Sequence, residues 1–247
     1  MKKCNKKIFS LEIVKLFVGL IFLFPAYVLF NIAFKRDADL TSAYLPPVDP
    51  TLFNFTEVWV EGNLLGAIRN SAIVTIVSII FVIIFGALAS YPLARVTRKW
   101  STLFFFFFIG GLLLPYQLAL IPLYTTMRDL GLLGTLPSLI IFYIGREMPF
   151  AIFLYTAFLR AIPKEYEEAA AIDGAGLFAT FRRVLFPMLR PVTGSVAILA
   201  GVYVYNDFFT PLLYLSGTGQ QTTTVAISVF VGEFRSQWNL VFAGLIL

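Results

Sequence analysis

The sequence predicts an all-α, polytopic membrane protein: a bundle of about six transmembrane helices. Three observations carry that reading. Hydrophobic residues make up 59% of the 247 positions and charged residues only 13%, about half the charged share of an ordinary soluble domain. Mean hydropathy is +0.84. The apolar residues are gathered into long runs with the charges in short segments between them. A chain with so little polar surface cannot cover one core against water, so its outer solvent is lipid.

A helix needs about 20 apolar residues to cross a bilayer. Residues 13–34, 72–91, 104–123, 137–159 and 192–215 meet that length, the third opening with Phe104 to Phe108. A sixth run begins near Leu240 and reaches Leu247. Its few residues, at about 1.5 Å rise each, fall short of a span, so an incomplete sixth helix is expected. A closed barrel would instead need segments of about 10 alternating residues, and an open sheet would leave backbone groups unpaired in lipid. Lys2, Lys3, Lys6 and Lys7 precede the first run as in a secretory signal, but a signal's apolar stretch is about 7–15 residues. The first run exceeds that and is read as a retained helix.

The net charge is +5 and the pI about 9.3. No basic stripe interleaved with aromatics supports a nucleic-acid partner, and the basic residues read as topology signals. With the N-terminus in the cytoplasm, the inner segments hold Lys2, Lys3, Lys6, Lys7, Lys15, Arg95, Arg98, Lys99, Arg160, Lys164, Arg182, Arg183 and Arg190. The outer ones hold Lys35, Arg36, Arg69, Arg128, Arg146 and Arg235. The excess on one side favours that orientation. Residues 35–67 form a long outer loop with Pro46, Pro47, Asp49 and Pro50. Residues 216–237 form an outer stretch rich in Gly, Thr and Gln around an apolar core at 225–231. No repeat or linker divides the chain, and a single transmembrane domain over 1–247 is expected.

The lone Cys4 and the absence of histidine exclude zinc and haem sites of the usual kinds. They also exclude serine–histidine and cysteine–histidine catalysis. No G-x-x-x-x-G-K-[ST] phosphate loop is present. The chain is read as neither an enzyme nor a holder of a metal or cofactor.

The longest inner loop, 162–191, reads IPKEYEEAAAIDGAGLFATFRRVLFPMLRP. Pro163 suits a first helical turn. Glu165, Glu167 and Glu168 lie where the helix dipole favours carboxylates, and Ala169, Ala170 and Ala171 are strong helix formers. Gly174 and Gly176 allow a sharp turn near 173–176. A second short helix over 177–186 is expected to end near Pro187. The alanine face lets another protein approach closely. An interfacial helix on lipid is the alternative, but three glutamates would repel anionic headgroups.

Glu168-Ala169-Ala170, Asp173-Gly174-Ala175 and Leu185-Phe186-Pro187 resemble the "EAA" loop of ABC importer permeases. Ile162-Pro163-Lys164-Glu165 and Met188-Leu189-Arg190-Pro191 fit the same pattern. Arg69-Asn70-Ser71, Pro149-Phe150-Ala151-Ile152-Phe153, and Asn206-Asp207-Phe208 with Pro211-Leu212-Leu213 resemble the maltose-type carbohydrate branch of that family. The resemblance covers nearly the whole chain. It departs in the short last helix, and in Arg146-Glu147, which is more charged than the family pattern.

The resemblance implies a type I importer permease fold in a prokaryotic cell membrane. It implies a multi-pass subunit that carries a carbohydrate delivered by an extracellular solute-binding protein. A polyol or sugar phosphate, or ATP-independent secondary transport, are the alternatives. The implied partners are a dimer of ABC ATPase subunits, which hydrolyse ATP with Mg, and a second homologous permease. By resemblance Glu168, Ala169, Ala170, Asp173, Gly174 and Pro187 form the ATPase-coupling loop: Glu168 makes polar contacts, the alanines allow close approach, Gly174 makes the bend and Pro187 ends the second helix. Asn206 and Asp207 are candidates for the substrate path, since polar groups at membrane depth usually face a cavity or a neighbour. Tyr203 is a candidate there for stacking on a sugar ring, with bundle packing or interfacial anchoring as its alternative. Ending the fifth helix near the outer surface is the competing role for Asn206 and Asp207.

Overall fold

A computed structural model describes residues 2–40, 42–232 and 236–247, and the side chains from Val14 onward together with Glu12. Arg235, assigned above to the outer set, lies outside the described residues, as do the side chains of Cys4 and of the lysines before it and just after it. Among the described residues the regular structure is helix throughout, with no strand. In chain order the first helices are α1 (Lys2–Ala33), α2 (Phe53–Glu61), α3 (Leu64–Arg95), α4 (Lys99–Leu113), α5 (Gln117–Asp129) and α6 (Leu136–Ala161). Then come α7 (Glu165–Ile172), α8 (Leu177–Thr180), a π turn (Phe181–Leu185), α9 (Phe186–Met188) and α10 (Arg190–Asn206). The last are α11 (Phe209–Tyr214), α12 (Thr223–Ser228) and α13 (Trp238–Ile246). Contacts divide the chain into two compact units, residues 1–67 with 223–247, and residues 68–222.

Of the described helices, three are long and apolar enough to cross a membrane alone, within α1, α3 and α6. Two bent pairs raise the number to as many as five if each pair is one span. This corrects two of the expected spans. The run 104–123 is not one rod: α4 and α5 meet at 101°. Pro115 disfavours helical backbone at the residue before it, and Leu114 is extended at φ −82°, ψ 125°, which ends α4. The run 192–215 is also broken, since α10 stops at Asn206 and Asp207 is extended. The sixth element, α13, is nine residues long.

In the first unit, α13 packs on α1, α2 and α12. Leu16, Phe17, Leu20 and Phe22 of α1 are each more than half exposed, an apolar surface whose contact is lipid. The loop after α1 folds back on the end of that helix. Asn31 Nδ2 donates to the carbonyls of Ala43 (2.7 Å) and Leu45 (2.8 Å). Lys35, fully buried, donates through Nζ to Ser42 O at 2.6 Å. Asn54 joins three elements: its Nδ2 donates to Ala33 O and Lys35 O, both at 2.7 Å, and its Oδ1 accepts from Asn239 Nδ2 at 3.0 Å. Stranding a buried polar group costs about 1–3 kcal/mol. Asn54→Leu is therefore expected to lower the unfolding midpoint of the purified protein by several degrees, read by fluorescence-detected aggregation. An unchanged midpoint would show that the network contributes little. The expected apolar core of the outer stretch is seen in α12, where Val225, Ala226 and Ile227 are buried.

In the second unit α6 is central and packs on α4, α10 and α11. Close approach uses small residues, as is common in membranes: a Cβ on Gly86 of α3 would lie 2.9 Å from Ala151 Cβ of α6. Polar links replace the hydrophobic drive that lipid removes. Ser90 Oγ donates to Gly86 O at 2.6 Å and across to Ile152 O at 3.2 Å. Tyr155 and Thr193 pair their hydroxyls at 3.0 Å. Val82, Ala151, Tyr155, Leu185, Leu189 and Val196 belong to one buried cluster. It joins α3, α6 and α10 to the 162–191 loop.

Candidate functional site: the 162–191 loop and the Arg146 groove

The loop helix α7 ends as its sequence dictates. Gly174 has φ +80°, a left-handed conformation that glycine adopts without strain. Gly174 N donates to Ala171 O (3.0 Å) and Ala175 N to Ala170 O (2.9 Å), the paired bonds of a Schellman cap. The chain then enters α8 beyond Gly176. The second loop helix ends one residue beyond Pro187, near its expected end. Leu177–Met188 is continuous, and the turn of 72° into α10 comes at Leu189. Pro187 lacks the N–H that would close a bond to the carbonyl four residues back, and the π turn immediately precedes it. Leu189 N supplies bonds to Leu185 O and Phe186 O, Leu189 is fully buried, and Pro191 lies in the first turn of α10.

The loop residues divide between two faces. Glu168, Ala169 and Asp173 are exposed, whereas Ala170 is buried. So Ala170 packs within the fold, while Ala169 and Ala171 are exposed. Ile172 (87% exposed), Leu177 (77%) and Phe178 (67%) add large apolar groups to the outward side. The inward side is pinned by Glu167, which sequence reasoning did not single out. Tyr91 OH donates to Glu167 Oε2 at 2.9 Å, and Arg95 Nε donates to Glu167 Oε1 at 2.5 Å. Arg95 also donates to Ile162 O at 3.0 Å, and the Tyr91 ring meets Phe181 at 5.6 Å. The signal was in the helical period: Glu167 and Ala170 lie three apart on one face, Glu168 and Ile172 four apart on another.

The candidates for the path separate. Asn206 is exposed, and its Nδ2 donates to Val202 O of its own helix. Asp207 lies at the break: its Oδ2 accepts from Tyr143 OH at 3.0 Å and its Oδ1 from Phe209 N at 3.1 Å. That arrangement caps α11. Tyr203 instead joins Arg146, whose guanidinium carbon stacks 3.4 Å from the Tyr203 ring centre and 4.0 Å from that of Tyr116. Arg146 pairs loosely with Glu147 at 3.7 Å. These groups line a groove of about 640 Å³ beside the α4–α5 break.

The chain has long apolar helices, bent helix pairs and a bent loop over 162–191, and comparison with known proteins gives its family. Residues 83–247 match the family described as binding-protein-dependent transport system inner membrane component. The chain belongs to that family and is a multi-pass membrane protein. It is 36% identical to the melibiose/raffinose/stachyose import permease protein MelC of Bacillus subtilis, over 90% of this chain and 81% of the relative. It is 31% identical to the probable starch degradation products transport system permease protein AmyC of Thermoanaerobacterium thermosulfurigenes, over 99% and 89%. In fold it resembles a chain in the crystal structure of a bacterial ABC transporter involved in the import of the acidic polysaccharide alginate. The TM-score there is 0.84 at 20% identity, covering 98% of this chain and 91% of that one.

Proposed function

We propose that this chain is the membrane-spanning permease subunit of an ATP-driven importer and passes a carbohydrate inward from an extracellular binding protein. It acts as one permease domain over 1–247, with its N-terminus in the cytoplasm, and does no covalent chemistry itself. ATP and Mg are bound and hydrolysed by a dimer of partner ATPase subunits, and a second homologous permease completes the path. The sugar assignment is supported by the kind of solute that the similar permeases are named for. The observation that carries the coupling role is the two-faced loop. Glu167 and Ala170 hold α7 to the bundle, while Glu168, Ala169, Ile172 and Asp173 are left exposed. A helix pinned on one side and open on the other transmits a partner's movement to the helices it is pinned to. An ATP-bound partner then biases a bundle with inward- and outward-open states.

The test is co-purification of the chain from membranes with its neighbours, wild type against Glu168→Lys, followed by an ATPase assay. The expected result is that the wild type brings an ATPase and a second permease, and that the variant loses the ATPase. If no ATPase depends on this loop, the coupling role is wrong.

A further inference from the structure

We propose that the groove beside the α4–α5 break is a neutral-sugar subsite carried by this subunit. In it the Arg146 guanidinium edge and the Glu147 carboxylate bind hydroxyls of one pyranose ring. The inference rests on the transport reading above and deepens it.

The first argument is depth. Arg146 is the eleventh residue of the 26 in α6, about 15 Å along the axis at 1.5 Å per residue. Charges in mid-span are expensive and face a cavity or pathway rather than lipid. The second is an unpaired donor. Arg146 Nη1 is buried without a hydrogen-bond partner, and the Glu147 oxygen at 3.7 Å is beyond hydrogen-bond reach. Most buried donors in proteins have a partner, and a ligand hydroxyl beside the guanidinium would supply one here. The third is preorganisation. Stacking on Tyr116 and Tyr203 fixes the guanidinium plane, so a ligand need not order a flexible side chain when it binds.

The chemistry selects the ligand. Arginine supplies several donors in a fixed fork and the carboxylate supplies acceptors, a pairing suited to vicinal hydroxyls. The two charges cancel locally, and an anionic solute would meet Glu147 beside its cation. Phe150 and Gln117 also line the groove: an aromatic surface for the C–H face of a sugar ring and a further amide. The volume of about 640 Å³ falls within the roughly 300–1,000 Å³ of small-molecule sites. The break between α4 and α5 makes this space, since Gly111 and Pro115, on either side of Leu114, are themselves lining residues.

The test uses the assembled importer with its binding protein in proteoliposomes. Gln117→Cys is introduced with Cys4→Ser, and maleimide alkylation is followed with melibiose, raffinose, maltotriose or diacetylchitobiose present. At least one neutral sugar is expected to slow alkylation roughly fivefold, while a galacturonate disaccharide does not. Adding R146M/E147Q, a neutral pair that keeps an unbranched side chain at 146 and the shape of the one at 147, is expected to remove the protection and cut ATP-driven uptake of that sugar roughly tenfold, the whole complex still being recovered. Protection that persists in R146M/E147Q, or protection by no sugar while the wild type transports, overturns the subsite and leaves the importer reading intact. Loss of the second permease from R146M/E147Q also overturns it, making the groove a subunit contact. A wild-type complex that moves no sugar with ATP overturns the transport reading, and the subsite with it.

Discussion

Replacing Gly174 by valine is expected to cut ATP-driven uptake by roughly tenfold, equivalent to about 1.4 kcal/mol, with membrane-inserted protein at the wild-type level. The backbone here has φ +80°, and a Cβ built on Gly174 meets nothing within 4 Å. The penalty is therefore conformational rather than steric crowding by a neighbour. A β-branched residue in the left-handed region is a genuine outlier, costing of order 1–2 kcal/mol. The chain relieves that strain by giving up the bonds from Gly174 N to Ala171 O and from Ala175 N to Ala170 O. Helix α7 then leaves at a new angle, and its exposed Glu168 face no longer meets a partner in register. Gly174→Asn, which tolerates the left-handed region, should retain most transport. Uptake in proteoliposomes, set against immunoblotted protein, separates the outcomes. Normal transport by the valine variant would mean that the bend carries no coupling.

The parts of this molecule that were legible in the sequence are those governed by local rules. The glycine turn followed from residue type alone, and the long spans followed from hydropathy. The break at Leu114 was hidden because hydropathy runs unbroken through it; Pro115 signals a disturbance but not its size, which depends on what α5 packs against. Pro187 marked a helix end by local rule, and the helix does end one residue beyond it, whereas the π turn before Pro187 was not legible. Of the three loop glutamates, Glu168 was favoured by resemblance. The helical period sets Glu167 and Glu168 on different faces, but only the fold shows the partner Arg95, 72 residues away in the chain. Arg146 and Glu147 stood out as charges in an apolar run, and both rings stacked on Arg146 come from elsewhere in the chain, one from beside the break and one from α10.

Reversing the charge at Arg95 is expected to be at least as damaging as the change at Gly174, and its partner should rescue it. The Arg95 and Glu167 side chains are only 11% and 17% exposed, so water screens the pair weakly. Removing one partner of such a buried pair leaves a charge uncompensated, at about 3–5 kcal/mol for a fully buried case and less here. Arg95→Glu sets two carboxylates together beside Tyr91 and removes the donor to Ile162 O. It thus frees α7 at its side and the start of the loop at once. ATP hydrolysis by the partner should continue, because the exposed face of α7 is unchanged, while sugar uptake falls by more than roughly tenfold. R95E/E167R restores one cation beside one anion and should recover part of the uptake, but not the Tyr91 bond to the carboxylate. Glu167→Gln keeps the shape and an acceptor for Tyr91 while deleting the charge, and should be milder than Arg95→Glu. The diagnostic quantity is sugar moved per ATP hydrolysed, which a general loss of folded protein would leave unaltered. A ratio that stays at the wild-type value in Arg95→Glu would mean that the ion pair only stabilises the loop and transmits nothing.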